Sequence, residues 1–138
     1  MTALTGGCFC RSIRYEIAGT PFFETICHCS ICRRTTGSAL VGWLTIQRSG
    51  FRLLSGEPKV FRSSDIATRA FCERCGTQLT FAFDEWPNVV DVTLGSLDDP
   101  NSSPPKDHTW TSAQLQWICL ADQLPQYREA REIPKRSE

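Results

Sequence analysis

The chain has 138 residues, of which 41% are hydrophobic and 22% charged, and its 15 Lys+Arg balance its 15 Asp+Glu at zero formal net charge. That size and apolar content suit one globular domain with a real core and exclude a disordered chain, while the charge balance argues against a general nucleic-acid or anionic-membrane binder. No secretory signal is legible in MTALTGGCFCRS and no apolar run approaches the roughly 18–20 residues of a membrane helix, so the expectation is a cytoplasmic protein.

In chain order, Gly6-Gly7 lead into the first cysteine pair, Cys8 and Cys10. Ser12 to Ile17 alternates, with Ile13, Tyr15 and Ile17 on one face and Arg14 and Glu16 on the other, which predicts a half-buried strand. Phe22 to Ile26 predicts the next strand and runs into a dense cluster, Cys27, Cys29 and Cys32, followed by at most one helical turn. Further short strands are expected at Ala39–Ile46, Phe51–Leu54, Lys59–Arg62 and Thr68–Phe71, then, past Cys72 and Cys75, at Leu79–Phe83, Val89–Leu94 and Leu115–Leu120. Ser55-Gly56-Glu57-Pro58 and Trp86-Pro87-Asn88 punctuate them as turns. Leu97 to Asp107 is the longest loop, and Arg128 to Glu138 is charged and proline-interrupted, so a single domain over 1–127 with a solvated tail over 128–138 is expected. The class is all-β, built from short antiparallel strands with little helix.

Eight cysteines in a reducing compartment do not make a disulfide framework. Seven of them fall into C-x-C and C-x-x-C spacings, which core packing has no reason to choose but which bring two soft ligands to one metal at little chain-entropy cost. Gly76 after Cys75, and Gly6-Gly7 before Cys8, give the backbone freedom to turn around such a metal. Cys119 shares strand parity with Leu115 and Trp117 and reads as a core residue. Seven ligands divide into one site of four and one of three, and a three-ligand zinc with a free position is how catalytic zinc is built. Spacing alone does not say which clusters join.

Together GGCFC, the strand ending in RYE, CHCSICRRTTGSA, FCERCGTQL and HTWTSAQLQW…DQLPQY resemble the glutathione-dependent formaldehyde-activating enzymes, whose domain is shared with centromere protein V. The resemblance spans Gly6 to Tyr127. It implies a small zinc-stabilised, Mss4-like all-β architecture and two zinc ions. One is a structural zinc on Cys8, Cys10, Cys72 and Cys75; the other is a catalytic zinc with an open position on Cys27, Cys29 and Cys32. It further implies a carbon–sulfur lyase acting on glutathione adducts, in the manner of S-hydroxymethylglutathione synthesis from glutathione and formaldehyde. In place of the glycine the family usually carries after the second cysteine of the first pair, this chain has Arg11, which costs about 1–2 kcal/mol if the position needs positive φ.

Glutathione carries two carboxylates, which arginine forks bind well, so Arg33 and Arg34 beside the triplet are candidates to orient it. His28 could be a fourth ligand or a base, but in a locally extended C-H-C segment its side chain points away from those of Cys27 and Cys29. His108 is an acid/base candidate arriving from a loop, with solvent exposure the alternative. Trp43, Trp86, Trp110 and Trp117 are expected in the core, with one free to wall a pocket. The competing reading is a non-catalytic zinc module that carries glutathione or binds a protein, because fold does not decide function.

Overall fold

A computed structural model describes residues 3–131. Ten strands form two sheets. The smaller holds β1 (Leu4–Gly7), β2 (Arg14–Ile17) and β5 (Phe51–Ser55). The larger has seven strands: β3 (Phe23–Cys27), β4 (Val41–Gln47), β6 (Lys59–Ser64), β7 (Ala67–Phe71), β8 (Gln78–Phe83), β9 (Val89–Thr93) and β10 (Asp107–Thr109). Their spatial order is β10-β3-β4-β9-β8-β7-β6, antiparallel throughout except for the β10–β3 edge pair. One α-helix, α1 (Ser30–Thr36), follows β3 and closes on Gly37 at φ 73°.

Strand alternation explains the two-sided burial of the large sheet. Leu44 and Ile46 of β4, Val90 and Val92 of β9, and Leu79 of β8 turn to one side, where Ile13, Tyr15 and Ile17 pack on them. Trp43 and Thr45, out of phase with Leu44 and Ile46, turn to the other side. Burial of Tyr15 pushes its phenol up to about 12, and its hydroxyl lies 2.7 Å from Ser96 Oγ.

Three expectations change. β1 is a strand despite its two glycines, and neither serves a positive φ. A Cβ on Gly6 would lie 2.4 Å from Tyr15 Oη and one on Gly7 2.2 Å from the Ile13 carbonyl, so close approach is what requires glycine there. Leu115–Leu120 forms no strand. Its alternation is absorbed by local bonds, Ile118 N–H to Leu115 O at 3.0 Å and Gln114 Nε2 to Ile118 O at 2.9 Å. The neighbouring β10 edge is already paired: His108 N–H donates to Pro125 O and Tyr127 N–H to His108 O, each at 2.9 Å. Consequently Cys119 is exposed rather than in the core, and Trp117 is 72% exposed.

The expected tail begins inside the fold. Trp110 N–H and Ser112 N–H donate to the carbonyls of Glu129 and Arg128, and the Arg131 guanidinium pairs with Asp107 and stacks 4.2 Å from the Phe23 ring centroid. Residues 132–138 of that tail lie outside the described residues.

Candidate metal centres and the adjoining cavity

Cys8 and Cys10 sit on the turn after β1, Cys72 and Cys75 on the turn after β7. Their four Sγ atoms lie within 4.8 Å of one another. Cys10 Sγ is 3.5 Å from that of Cys8 and 3.8 Å from that of Cys72. A tetrahedron with arms of about 2.3 Å has edges of about 3.8 Å, so the spacing is that of a four-thiolate zinc site. Donors surround the sulfurs: Ile13 N–H reaches Cys8 Sγ at 3.3 Å, and Ser12 Oγ lies 3.0 Å from Cys10 Sγ and 3.5 Å from Cys72 Sγ. A hydrogen bond from the Thr77 hydroxyl, helped by backbone N–H groups, draws the Cys75 thiol down to about 5. Gly76 stands at φ 83°, as the sequence anticipates for the turn, and Arg11 stands at φ 67°, so the family's usual glycine is replaced at a left-handed position.

Cys27 ends β3, Cys29 caps α1 by accepting from Cys32 N–H at 3.2 Å, and Cys32 lies within the helix. Their Sγ atoms also gather within 4.8 Å, and no other His, Cys, Asp or Glu among the described residues joins them. Hydrogen bonds from Cys27 and Cys32 pull the Cys29 thiol down to about 2, while its bond to Cys29 pushes Cys27 far up. Three sulfurs this close resist ionising together, and a divalent cation would let all three do so. The donor set therefore fits zinc with three protein ligands.

His28 is buried and faces away from the sulfurs. Its Nε2 lies 2.9 Å from His108 Nδ1, and His108 Nε2 lies 2.7 Å from Asp122 Oδ2. His108 is itself buried rather than exposed, because β10 pairs with β3 on one side and with the 125–127 segment on the other. Neither histidine lines the cavity described next.

A cavity of about 570 Å³ opens against the triplet. Strand register builds its floor as one row across five strands: Phe23 opposite Thr45, Thr45 opposite Asp91, Asp91 opposite Phe81, Phe81 opposite Arg69. Trp43, Phe83, Ile66, Trp86 and Trp110 add apolar walls, so three of the four tryptophans face this space. Arg69 is 3% exposed, its guanidinium carbon 4.7 Å from the Phe81 ring centroid and its Nη2 3.5 Å from Cys32 Sγ. Thr45 Oγ1 donates to Asp91 Oδ1 at 2.6 Å, yet burial still pushes that carboxyl up to about 6. Arg33 and Arg34 ride on α1 outside the cavity lining; the arginines that line it are Arg69 and Arg131. Sequence reasoning passed over Arg69 and Asp91. The available signal was a charge at the centre of an otherwise buried strand, ATRAF and VVDVT.

Fold and site define a small all-β protein with two cysteine clusters that could each hold a metal ion, one of four thiols and one of three beside a cavity. Residues 3–113 match the family described as glutathione-dependent formaldehyde-activating enzyme, and the chain belongs to that family. A protein of Halomonas elongata (strain ATCC 33173), provisionally named a glutathione-dependent formaldehyde-activating enzyme, is 27% identical over 127 residues, covering 83% of this chain and 79% of its own. An uncharacterised lyase of Schizosaccharomyces pombe (strain 972) is 30% identical over 88 residues, 64% of each chain. A crystal structure of a Rhodobacter sphaeroides protein shares the fold, with TM-score 0.59 at 23% identity over 71% of this chain and 93% of that one. No helix among the described residues is long and apolar enough to cross a membrane.

Proposed function

We propose that the protein is a zinc-dependent carbon–sulfur lyase that makes and breaks the bond between glutathione sulfur and a carbonyl carbon. The observation that carries this reading is the incomplete triplet of Cys27, Cys29 and Cys32 facing a cavity, in a chain whose other four clustered cysteines already complete a set. In this reading Cys8, Cys10, Cys72 and Cys75 hold a structural zinc and the triplet holds a second. Zinc at the triplet would supply Lewis acidity and lower the pKa of an incoming thiol.

The chain's own residues supply the rest. Arg69 places a fixed positive charge beside Cys32, offsetting the thiolates' excess negative charge. Asp91 keeps its proton to about pH 6, so its Oδ2, the oxygen not engaged by Thr45, can pass a proton between thiol and carbonyl oxygen. Arg33 and Arg34, on the helix beside the cavity, are assigned to the carboxylates of the tripeptide, which an aromatic cavity would not hold. The aromatic walls exclude water and slow escape of the adduct.

Cys29→Ser tests the reading. The variant is expected to fold, to bind one zinc fewer by metal analysis, and to lose the protein-dependent exchange between glutathione and S-hydroxymethylglutathione seen by NMR. Undiminished exchange overturns it.

A further inference from the structure

The cavity is far larger than formaldehyde alone requires. At about 570 Å³ it is the size that takes a drug-like molecule, whereas a hydroxymethyl group adds two heavy atoms to sulfur. Apart from Arg69 and the Asp107-paired Arg131, its surface is mostly apolar, so glutathione's two carboxylates and ammonium together would lose hydration against Phe23, Trp43, Phe81, Phe83 and Trp86. The space suits whatever is attached on the far side of the sulfur.

A second observation gives the polarity of that group. Three residues of the lining carry buried donor atoms without a hydrogen-bond partner: Trp43 Nε1, Arg69 Nε and Nη1, and Ser63 Oγ. Buried donors are nearly always satisfied, so these unpaired groups, with the Arg69 guanidinium carbon 5.8 Å from the Trp43 ring centroid, mark where a ligand's acceptors belong. On the acceptor side, Asp91 Oδ1 is occupied by Thr45 and Asp91 Oδ2 is the proton-carrying oxygen of the proposed mechanism. The cavity therefore asks for an apolar, flat body carrying oxygen acceptors.

We infer that the carbonyl partner of this site is a bulky aromatic compound with a second oxygen acceptor, such as an aryl 2-oxoaldehyde, held in the cavity by the aromatic walls and by Arg69 and Trp43. This rests on the triplet being the sulfur site. The thiol sulfur bonds to the aldehyde carbon as the C=O π bond breaks, and the thiol proton ends on the former carbonyl oxygen. The lyase direction reverses this, and nothing is oxidised or reduced. Arg69 stands beside both Cys32 and the ring of Phe81, so one guanidinium spans the reacting end and the aromatic end.

Three stable thioethers separate the contributions. S-methylglutathione, S-benzylglutathione and S-phenacylglutathione carry respectively no ring, a ring, and a ring with a carbonyl acceptor. Calorimetry on the zinc-loaded protein is expected to give about tenfold tighter binding for benzyl over methyl, from the area buried, and about tenfold more for phenacyl, from the charged hydrogen bond. Ile66→Trp, at the half-exposed rim, fills the cavity and should erase the benzyl advantage while sparing S-methylglutathione. Arg69→Met should erase only the phenacyl advantage, with zinc content measured to confirm that the triplet is intact. Trp43→Phe should cut that advantage while retaining the ring, and serves if Arg69→Met fails to fold or loses zinc. Equal affinity for the three thioethers overturns the inference, as does a ranking that Ile66→Trp leaves untouched. The two readings fail separately: equal affinities alongside loss of exchange in Cys29→Ser sink only this one, and the expected ranking alongside retained exchange sinks only the catalytic triplet.

Discussion

The two cysteine centres use the same donors in unlike surroundings. Cys8 and Cys72 are built into the main core, packed among Ile13, Leu79 and Leu97, and their site joins turns about sixty residues apart in sequence. The triplet belongs to a smaller cluster with Val41, Trp43 and Phe81, and all three of its ligands fall within six residues. A metal that closes a long loop inside a core stabilises the chain. A metal held by one short segment beside a cavity would close almost no loop, which is why the proposed reading gives it the chemistry.

The contrast can be broken most forcefully at Cys72. Structural zinc contributes on the order of 10 kcal/mol to small domains, so Cys72→Ser should leave no cooperative melting transition by circular dichroism. By contrast Cys29→Ser should shift the midpoint by only a few degrees, and a drop as large as that of Cys72→Ser would reverse the two roles. Graded chelation sharpens the same point: the first zinc lost should take activity with it, the second should take the fold.

Asp91 comes next in size. Its folded carboxyl is held up at about 6, above the usual unfolded value, so between about pH 4 and 6 the folded state binds more protons and stability falls as pH rises. The cost is complete above pH 6. Asp91→Asn, which keeps an oxygen for Thr45, should therefore stabilise the protein by on the order of 2 kcal/mol at pH 7.5 and by little at pH 4, measured by urea unfolding at both pH values. The same variant should slow adduct exchange.

The smallest effect belongs to the closed centre. Arg11 at φ 67° carries a left-handed penalty, and Arg11→Gly should gain about 0.5–1 kcal/mol after glycine's own entropy cost, with no change in activity. A loss of activity would show that the arginine's charge matters at a distance.

The sequence carried the chemistry more plainly than the walls around it. Cysteine spacings announce themselves because metal geometry confines ligands to C-x-C and C-x-x-C, and the C-H-C alternation correctly turned His28 away from the sulfurs. The short-strand pattern likewise gave the sheet, since SIRYEI and VVDVTL alternate about real faces. Leu115–Leu120 failed because periodicity reports a pattern of side chains and says nothing about whether a free sheet edge exists to receive them. The lone charges in ATRAF and VVDVT were there to be read, but the meeting of Arg69, Asp91 and Arg131 in one cavity was illegible for a related reason. They meet only when β3, β4, β9, β8 and β7 are laid side by side and the 128–131 segment returns to Phe23, and no local window contains that adjacency.

If the row from Phe23 to Arg69 receives the ligand as proposed, strand register becomes a determinant of specificity. Side chains alternate with period two, so a one-residue slip of β9 against β4 would send Asp91 into the main core and present Val90 or Val92 to the ligand. The opposite face, where those valines lock against Leu44, Ile46 and Leu79, resists that slip. Each strand thus spends one side on holding position and the other on recognition. A lineage of such proteins could trade Phe23, Thr45, Asp91, Phe81 and Arg69 for other residues, and so change substrates, without disturbing either the fold or the cysteines.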